Sequence, residues 1–269
     1  MKYAILDFDG YICKAYYAAK AEGEDDFEQI DEILNWLVNA AYNKAFKFFG
    51  QEPRVLEVIS GHTIKKDIYP SYKLTRKRDE YLGLYREHCK HTRPLTKVSQ
   101  LEADDVCLSI DEYFNSEPTK SALNTILFSD DKDLKNYVKG YYCKINVNEE
   151  IERPCLYAEA PYAQMIAGDS EDNVKGIPNI GMKKAYKYLD ETNYDMECVV
   201  LKYISAGIDI DECLKNIALV KPIIIKDREF MHELVRCHSF KSETVISNTI
   251  NEFFLDLSAQ VKEIYEQYS

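Results

Sequence analysis

Apolar positions in this chain follow two periods that alternate from the N-terminus to about residue 155. Lys2 to Phe8 is a short run, apolar on both faces, and reads as a buried strand. Ile12 to Glu22, rich in alanine and tyrosine, reads as a helix. From Gln29 to Phe49 the apolar residues Ile30, Ile33, Leu34, Leu37, Ala41, Ala45 and Phe48 form one helical stripe, which Gly50 ends. Arg54 to Ser60 predicts a second strand, Asp79 to Lys90 a charged helix, and Leu101 to Phe114 another helix. Leu123 to Ser129 and Tyr141 to Val147 predict further strands, with a short helix between them from Lys132. Beyond about Cys155 the pattern is mainly helical, apart from a short apolar run at Pro222 to Ile225. Strands alternating with helices predict an α/β fold, with a mostly parallel sheet covered by helices on both faces. Ligand sites on such sheets lie at the carboxyl ends of the strands.

The chain has 269 residues, 46% of them hydrophobic, enough for one large domain or two intimate ones with a real core. No signal-peptide pattern and no apolar run of membrane-spanning length is present, so a cytoplasmic protein with no membrane partner is expected. The eight cysteines include no C-x-x-C pair, and Cys89-Lys90-His91 and Cys237-His238 lack a second ligand pair at zinc spacing. Reduced thiols, several of them buried, are expected.

Charge changes the picture more. The net charge is −12, yet Lys65 to Lys97 holds ten basic and four acidic residues, leaving −18 on the remainder. A local basic strip on an acidic protein fits contact with nucleic acid; the competing reading is a solvated charged helix.

Eight carboxylates then stand out in four groups: Asp7; Glu102, Asp104 and Asp105; Asp131 and Asp133; Asp169 and Asp172. Each group lies in an apolar setting where a strand should end or a helix begin. Crowded carboxylates repel one another and are costly to desolvate, a penalty that hard divalent cations such as Mg²⁺ or Mn²⁺ remove. The grouping therefore predicts a carboxylate-built metal site acting on phosphate esters. For a single member, surface solvation or helix capping is the competing reading. Asp9 and Asp130 are extra acids beside the groups, Asp9 as a supporting residue and Asp130 as a solvated one. Lys73 and Arg76 fall one helical turn apart, and a cation there can stabilise charge developing on a phosphate. Lys77, Arg78 and Arg86 extend the basic surface, and Tyr72 and Tyr81 offer rings for stacking bases, with ordinary packing an equal alternative. Gly176 and Gly181 have P-loop spacing, but Met182 stands where the lysine is required.

The order and spelling of these groups resemble the flap endonuclease and 5′-3′ exonuclease family. The resemblance runs from Tyr3 to about Asn216 and includes EADD, DKDL, YKLTR at Tyr72 to Arg76, and GDSEDNVKGIPNIGMKKA at Gly168 to Ala185. It is closest to compact phage or bacterial members without a polymerase domain. The resemblance implies a PIN-like nuclease core at residues 1–155, with a short arch segment near 73–97. It implies a mainly helical region at 156–269 packed on the core, with a helix-three-turn-helix DNA-binding element near 168–190. Asp7, Glu102, Asp104 and Asp105 would serve one metal cluster, and Asp131, Asp133, Asp169 and Asp172 the other, with two or more Mg²⁺ or Mn²⁺ ions. Lys73 and Arg76 would be catalytic. Lys175, Gly176, Ile177, Gly181, Lys183 and Lys184 would hold duplex DNA by its backbone, with K⁺ bound at the turn.

The implied activity is structure-specific 5′ hydrolysis of DNA at a flap, nick or free 5′ end. RNA–DNA hybrid is a further substrate, and replication in a bacterial or phage-infected cell is the setting, with replication proteins as partners. A PIN-class ribonuclease and a non-catalytic junction-binding protein are the alternatives. Two departures from the family are visible. Ser60-Gly61-His62 stands where many relatives carry an acid, and the segment from Lys73 to Glu102 has room for about one arch helix.

Overall fold

The computed structural model describes all residues except 24–25, 77–78, 117–122, 147, 154–158, 239–241 and 269. β1 (Lys2–Asp7) runs directly into α1 (Phe8–Ala21), followed by α2 (Phe27–Phe49) and β2 (Pro53–Val58). A short α3 (Ile64–Ile68) precedes α4 (Glu80–Thr92) and α5 (Ala103–Asn115). β3 (Thr125–Phe128), a 3-10 turn at Leu134–Asn136 and β4 (Tyr141–Cys143) come next. α6 (Glu159–Ala167), α7 (Met182–Glu191), α8 (Met196–Ser205) and α9 (Ile210–Val220) follow, then α10 (Arg228–Cys237) and α11 (Glu243–Tyr268). Among the described residues no helix is long and apolar enough to cross a membrane.

The chain divides into two compact units. The first comprises residues 1–62, 78–156 and 224–243; the second comprises 63–77, 157–223 and 244–269. A single cut near 155 therefore misassigns two segments. Residues 63–77 join the helical unit because Tyr72 packs with Val174 and Leu219. Residues 224–243 join the sheet unit, where Ile225 N–H donates to Ser109 Oγ of α5 at 2.9 Å.

In the first unit the four strands are all parallel, in the order β2-β1-β3-β4. The register pairs Asp7 with Val58 and Leu6 with Phe128, so the carboxyl ends of β1, β2 and β3 form one edge. Strand alternation sends β1 side chains to both faces. Ala4 and Leu6 join the core under α1 and α2, while Tyr3 stacks on Phe114 of α5 with ring centroids 3.9 Å apart. The α2 stripe is buried at Ile30, Leu34, Leu37, Ala41 and Ala45. Asp26 accepts from Gln29 N–H at its start, and Gly50 ends it in the left-handed region at φ 68°.

The structure moves some expected boundaries. α1 starts at Phe8 rather than Ile12, because Asp7 is both the last strand residue and the helix N-cap. β4 ends at Cys143, where Lys144 leaves the ladder and Ile145 N–H donates instead to Asp130 Oδ1 at 3.0 Å; Val147 lies outside the described residues. The short apolar run at Pro222 to Ile225 lies outside helix and strand, and its Ile225 N–H donates to Ser109 Oγ. Cys89, Cys107, Cys143 and Cys213 are buried, as the composition predicts.

The second unit is a helical core built from α6, α7, α8, α9 and α11, around Ile166, Val199, Val200, Tyr203 and Ile217.

Candidate metal and phosphate sites

Six of the expected carboxylates sit at or beside the carboxyl edge of the sheet. Asp7, at the end of β1, is buried. Ser129, just past β3, donates from Oγ to Asp7 Oδ2 at 2.6 Å and accepts from Asp131 N–H at 3.0 Å. Asp131 in turn accepts from Asp133 N–H at 2.7 Å. The Tyr142 hydroxyl lies 2.7 Å from Ser129 O and 3.1 Å from Asp131 O, which pins this turn. Gly10 lets the α1 backbone close over Asp7: a Cβ there would lie 2.9 Å from Ile145 Cδ1 and 3.3 Å from Asp7 Oδ2.

On the α5 side, Glu102 and Asp105 form a capping box in which Glu102 N–H donates to Asp105 Oδ2 at 3.2 Å. Both side chains are buried. Their negative charge at a helix N-terminus is offset in part by the helix dipole. Asp104 lies in the same first turn. The buried Cys107 thiol is pushed up first by burial and then by Asp7, Asp104 and Asp9.

Burial pushes the Asp7 carboxyl up to about 7; the Ser129 hydroxyl pulls it down, and Asp9 and Asp131 add to the rise. A cation beside a buried carboxyl held among like charges would favour the ionised form that burial opposes. The donor set, all hard oxygen, fits Mg²⁺ or Mn²⁺. As placed, no group of three or more His, Cys, Asp or Glu side chains among the described residues stands close enough to hold a metal ion.

Asp169 and Asp172 belong to the helical unit and have protein partners there. Asp169 caps its own turn, accepting from Glu171 N–H at 2.8 Å and Gln164 Nε2 at 2.9 Å. Asp172 meets the cations of the YKLTR segment: Lys73 Nζ lies 3.6 Å away, Arg76 pairs with its other oxygen, and the Tyr72 hydroxyl donates at 3.2 Å. Lys73 and Arg76 sit on a turn rather than a helix, with Lys73 at φ 55° and its N–H donated to Asp172 O at 2.8 Å. This local arrangement places a carboxylate between the two cations expected to meet phosphate.

Two glycines in the left-handed region shape the next turn. Gly168 (φ 77°) and Gly176 (φ 61°) back onto each other's strand of chain: a Cβ on Gly168 would lie 2.3 Å from Val174 O, and one on Gly176 2.3 Å from Ala167 C. Ile177 is buried and donates its N–H to Ile166 O at 2.8 Å, so it builds the turn rather than facing a ligand. Lys175, Lys183 and Lys184 are exposed, and Gly181 caps α7. Lys184 Nζ reaches Asn179 O at 3.0 Å.

The remaining candidates find partners of their own. Tyr72 is buried beneath Lys73 Nζ, 4.9 Å from its ring centroid, and Tyr81 packs on Phe27 and Tyr16, so these rings serve packing. Asp130 is paired with Lys14 at 2.9 Å rather than only solvated. Arg86, expected on the basic surface, is paired with Asp9. Lys77 and Arg78 lie outside the described residues. Ser129 carries no sequence signal beyond its position just past a strand, and Ser60 none beyond standing where many relatives carry an acid.

No family model matches the chain. It is 28% identical over 282 aligned residues to DNA polymerase I of Rhizobium leguminosarum, covering 96% of this chain and 26% of that protein. Identity to DNA polymerase I of Borreliella burgdorferi is 26% over 233 residues, covering 77% of this chain and 23% of the relative. The chain thus spans about a quarter of the length of these curated relatives. Among solved structures, the T5 D15 protein co-crystallized with metal ions matches with a TM-score of 0.59 at 16% identity, over 96% of this chain and 100% of that one. The bacteriophage T5 D15 flap endonuclease in a pseudo-enzyme-product complex with DNA and metal ions matches with a TM-score of 0.58 at 16% identity, over 99% and 100%. The chain has the fold of the bacteriophage T5 D15 protein.

Proposed function

We propose that this protein is a divalent-metal-dependent, structure-specific 5′ nuclease acting on DNA at a flap, nick or free 5′ end. The observation that carries the reading is the buried Asp7 carboxyl, bridged to Asp131 through Ser129 at the same sheet edge as the α5 acids. Asp7, Glu102, Asp104, Asp105, Asp131 and Asp133 would hold the ions. The family resemblance adds Asp169 and Asp172 as further ligands. Bound there, divalent ions would supply an activated water and a counter-charge for the leaving oxygen of a phosphodiester.

The chain's own groups do the rest. Ser129 holds Asp7 and Asp131 in fixed relation. Lys73 and Arg76 take the phosphate and stabilise the charge that develops on it. Both cations pair with Asp172, so a phosphate that reaches them has a carboxylate to displace. Lys175, Lys183 and Lys184 contact duplex backbone, which positions DNA without reading its sequence. Mg²⁺ as the working ion, K⁺ at the 168–190 turn, RNA–DNA hybrid as a substrate, replication proteins as partners and a cytoplasmic setting belong to the same proposal and rest on the resemblance.

The test is digestion of a 5′-labelled flap and a nicked duplex, each with and without Mg²⁺. Short 5′-labelled products that require the metal are expected. Tight junction binding without cleavage at any divalent metal would favour a non-catalytic binding protein instead.

A further inference from the structure

Ser60 follows β2 at the carboxylate edge and uses all three of its polar groups. Its N–H donates to Asp9 Oδ2 at 2.9 Å. Its Oγ accepts from Ala103 N–H, in the first turn of α5, at 2.9 Å. Its carbonyl accepts from the Arg86 guanidinium of α4 at 2.8 Å. Arg86 closes the ring by donating from Nε to Asp9 Oδ1 at 2.6 Å. The first turn of α1, the end of β2, the start of α5 and the middle of α4 therefore meet at one residue. Two of these elements carry expected metal ligands: Asp7 caps α1, and Glu102, Asp104 and Asp105 open α5. The backbone beside Ser60 is closely seated. Gly61 N–H donates to Leu101 O at 3.0 Å, and a Cβ on Gly61 would lie 2.5 Å from Val98 O.

We propose that Ser60, Asp9 and Arg86 form a positioning network that sets the spacing between Asp7 and the α5 carboxylates, and through it the affinity of this edge for a divalent cation. The inference rests on the nuclease reading and deepens it. It gives the Ser60-Gly61-His62 segment a role where relatives carry an acid. The Asp9 oxygens are committed to Ser60 and Arg86, so Asp9 orients its neighbours rather than ligating. Groups hydrogen-bonded behind metal ligands commonly change metal affinity 10–100-fold when removed.

Arg86 supplies the discriminating sign. By Coulomb's law alone, deleting a guanidinium beside a carboxylate edge strengthens cation binding. Deleting an anchor weakens it. The experiment is Mn²⁺ binding to the full chain without DNA, followed by electron paramagnetic resonance of the free ion near neutral pH. It compares wild type, Arg86→Ala and Ser60→Ala, with thermal unfolding in EDTA as the check on folding. Both variants are expected to bind Mn²⁺ roughly tenfold more weakly, with folding in EDTA retained. Ser60→Ala removes one hydroxyl and no charge, so it carries the test if Arg86→Ala fails to fold. Unchanged or tighter Mn²⁺ binding in the folded variants overturns the network. So does loss of DNA binding in Arg86→Ala with normal Mn²⁺ binding, which would make Arg86 a phosphate contact. A wild-type chain that binds no Mn²⁺ overturns the nuclease reading itself, and the network with it.

Discussion

Ser129 Oγ donates a 2.6 Å hydrogen bond to Asp7 Oδ2, tying the residue just past β3 to the last residue of β1. The parallel register that sets Leu6 beside Phe128 makes this bond possible. It also fixes where the charge problem of the site lies. Asp7 is buried, and its neighbours Asp9 and Asp131 share its sign.

Asp7→Asn should stabilise the metal-free protein above neutral pH. Burial raises the folded-state value of Asp7 to about 7, above the ordinary carboxylate value. The folded protein therefore binds a proton that the unfolded chain has already lost. Stability from this group is present at low pH and is lost as pH rises through about 7. Its loss is on the order of a few kcal/mol. In EDTA, the Tm of Asp7→Asn should exceed that of wild type at pH values above 7, and the gap should shrink toward pH 5. Mg²⁺ should raise the wild-type Tm and leave the variant nearly unmoved. A variant less stable than wild type across the whole range would contradict this account of Asp7.

Gly140→Ala should destabilise the sheet unit without touching the carboxylate edge. A Cβ on Gly140 would lie 2.0 Å from Thr125 Oγ1 and 2.5 Å from Asp111 Oδ1. Buried Asp111 accepts there from Gly140 N–H, Lys139 N–H, Thr125 Oγ1 and Asn115 Nδ2. Crowding a satisfied buried carboxylate should cost roughly 1–3 kcal/mol. Urea unfolding measures it; a loss below about 0.5 kcal/mol, the size of an ordinary surface change, would mean the loop relaxes freely.

Much of the fold was legible because its determinants repeat. The β1 run and the α2 stripe announce themselves by period, and Asp7 and Asp131 could be placed at one edge from the position of strand ends alone. The bonds made by Ser60 and Ser129, and the pairing of Asp172 with Lys73 and Arg76, were not legible. These are single hydrogen bonds and ion pairs between residues far apart in sequence, which leave no periodic trace. Lys73 misled for a related reason. Its spacing to Arg76 is helical, yet its positive φ and its backbone bond to Asp172 O hold a turn. Arg86 reads as surface charge until Asp9, 77 positions away, is brought beside it.

Lys183→Ala combined with Lys184→Ala should weaken duplex binding about equally for unrelated sequences. Both lysines are exposed at the start of α7, whose N-terminal amides also favour phosphate. Loss of two phosphate contacts should flatten the dependence of log K on log salt by roughly 0.9 per contact. Binding of two unrelated duplexes across a salt series checks it. Loss confined to one sequence, or an unchanged slope, would remove this turn from the duplex contact.

In the proposed function the Asp7–Asp131 edge carries metal-dependent phosphodiester hydrolysis. Asp131→Asn probes this edge, since the change removes one charge and keeps the shape. The measurement is single-turnover cleavage of a 5′-flap duplex in Mg²⁺, set beside binding of the same duplex in Ca²⁺. Cleavage should fall by at least about a hundredfold, the order lost when a single charge-stabilising group is deleted. DNA binding should hold or tighten, because one negative charge facing the phosphates is gone. A variant that cleaves at near wild-type rate would contradict the assignment of this edge as the catalytic site.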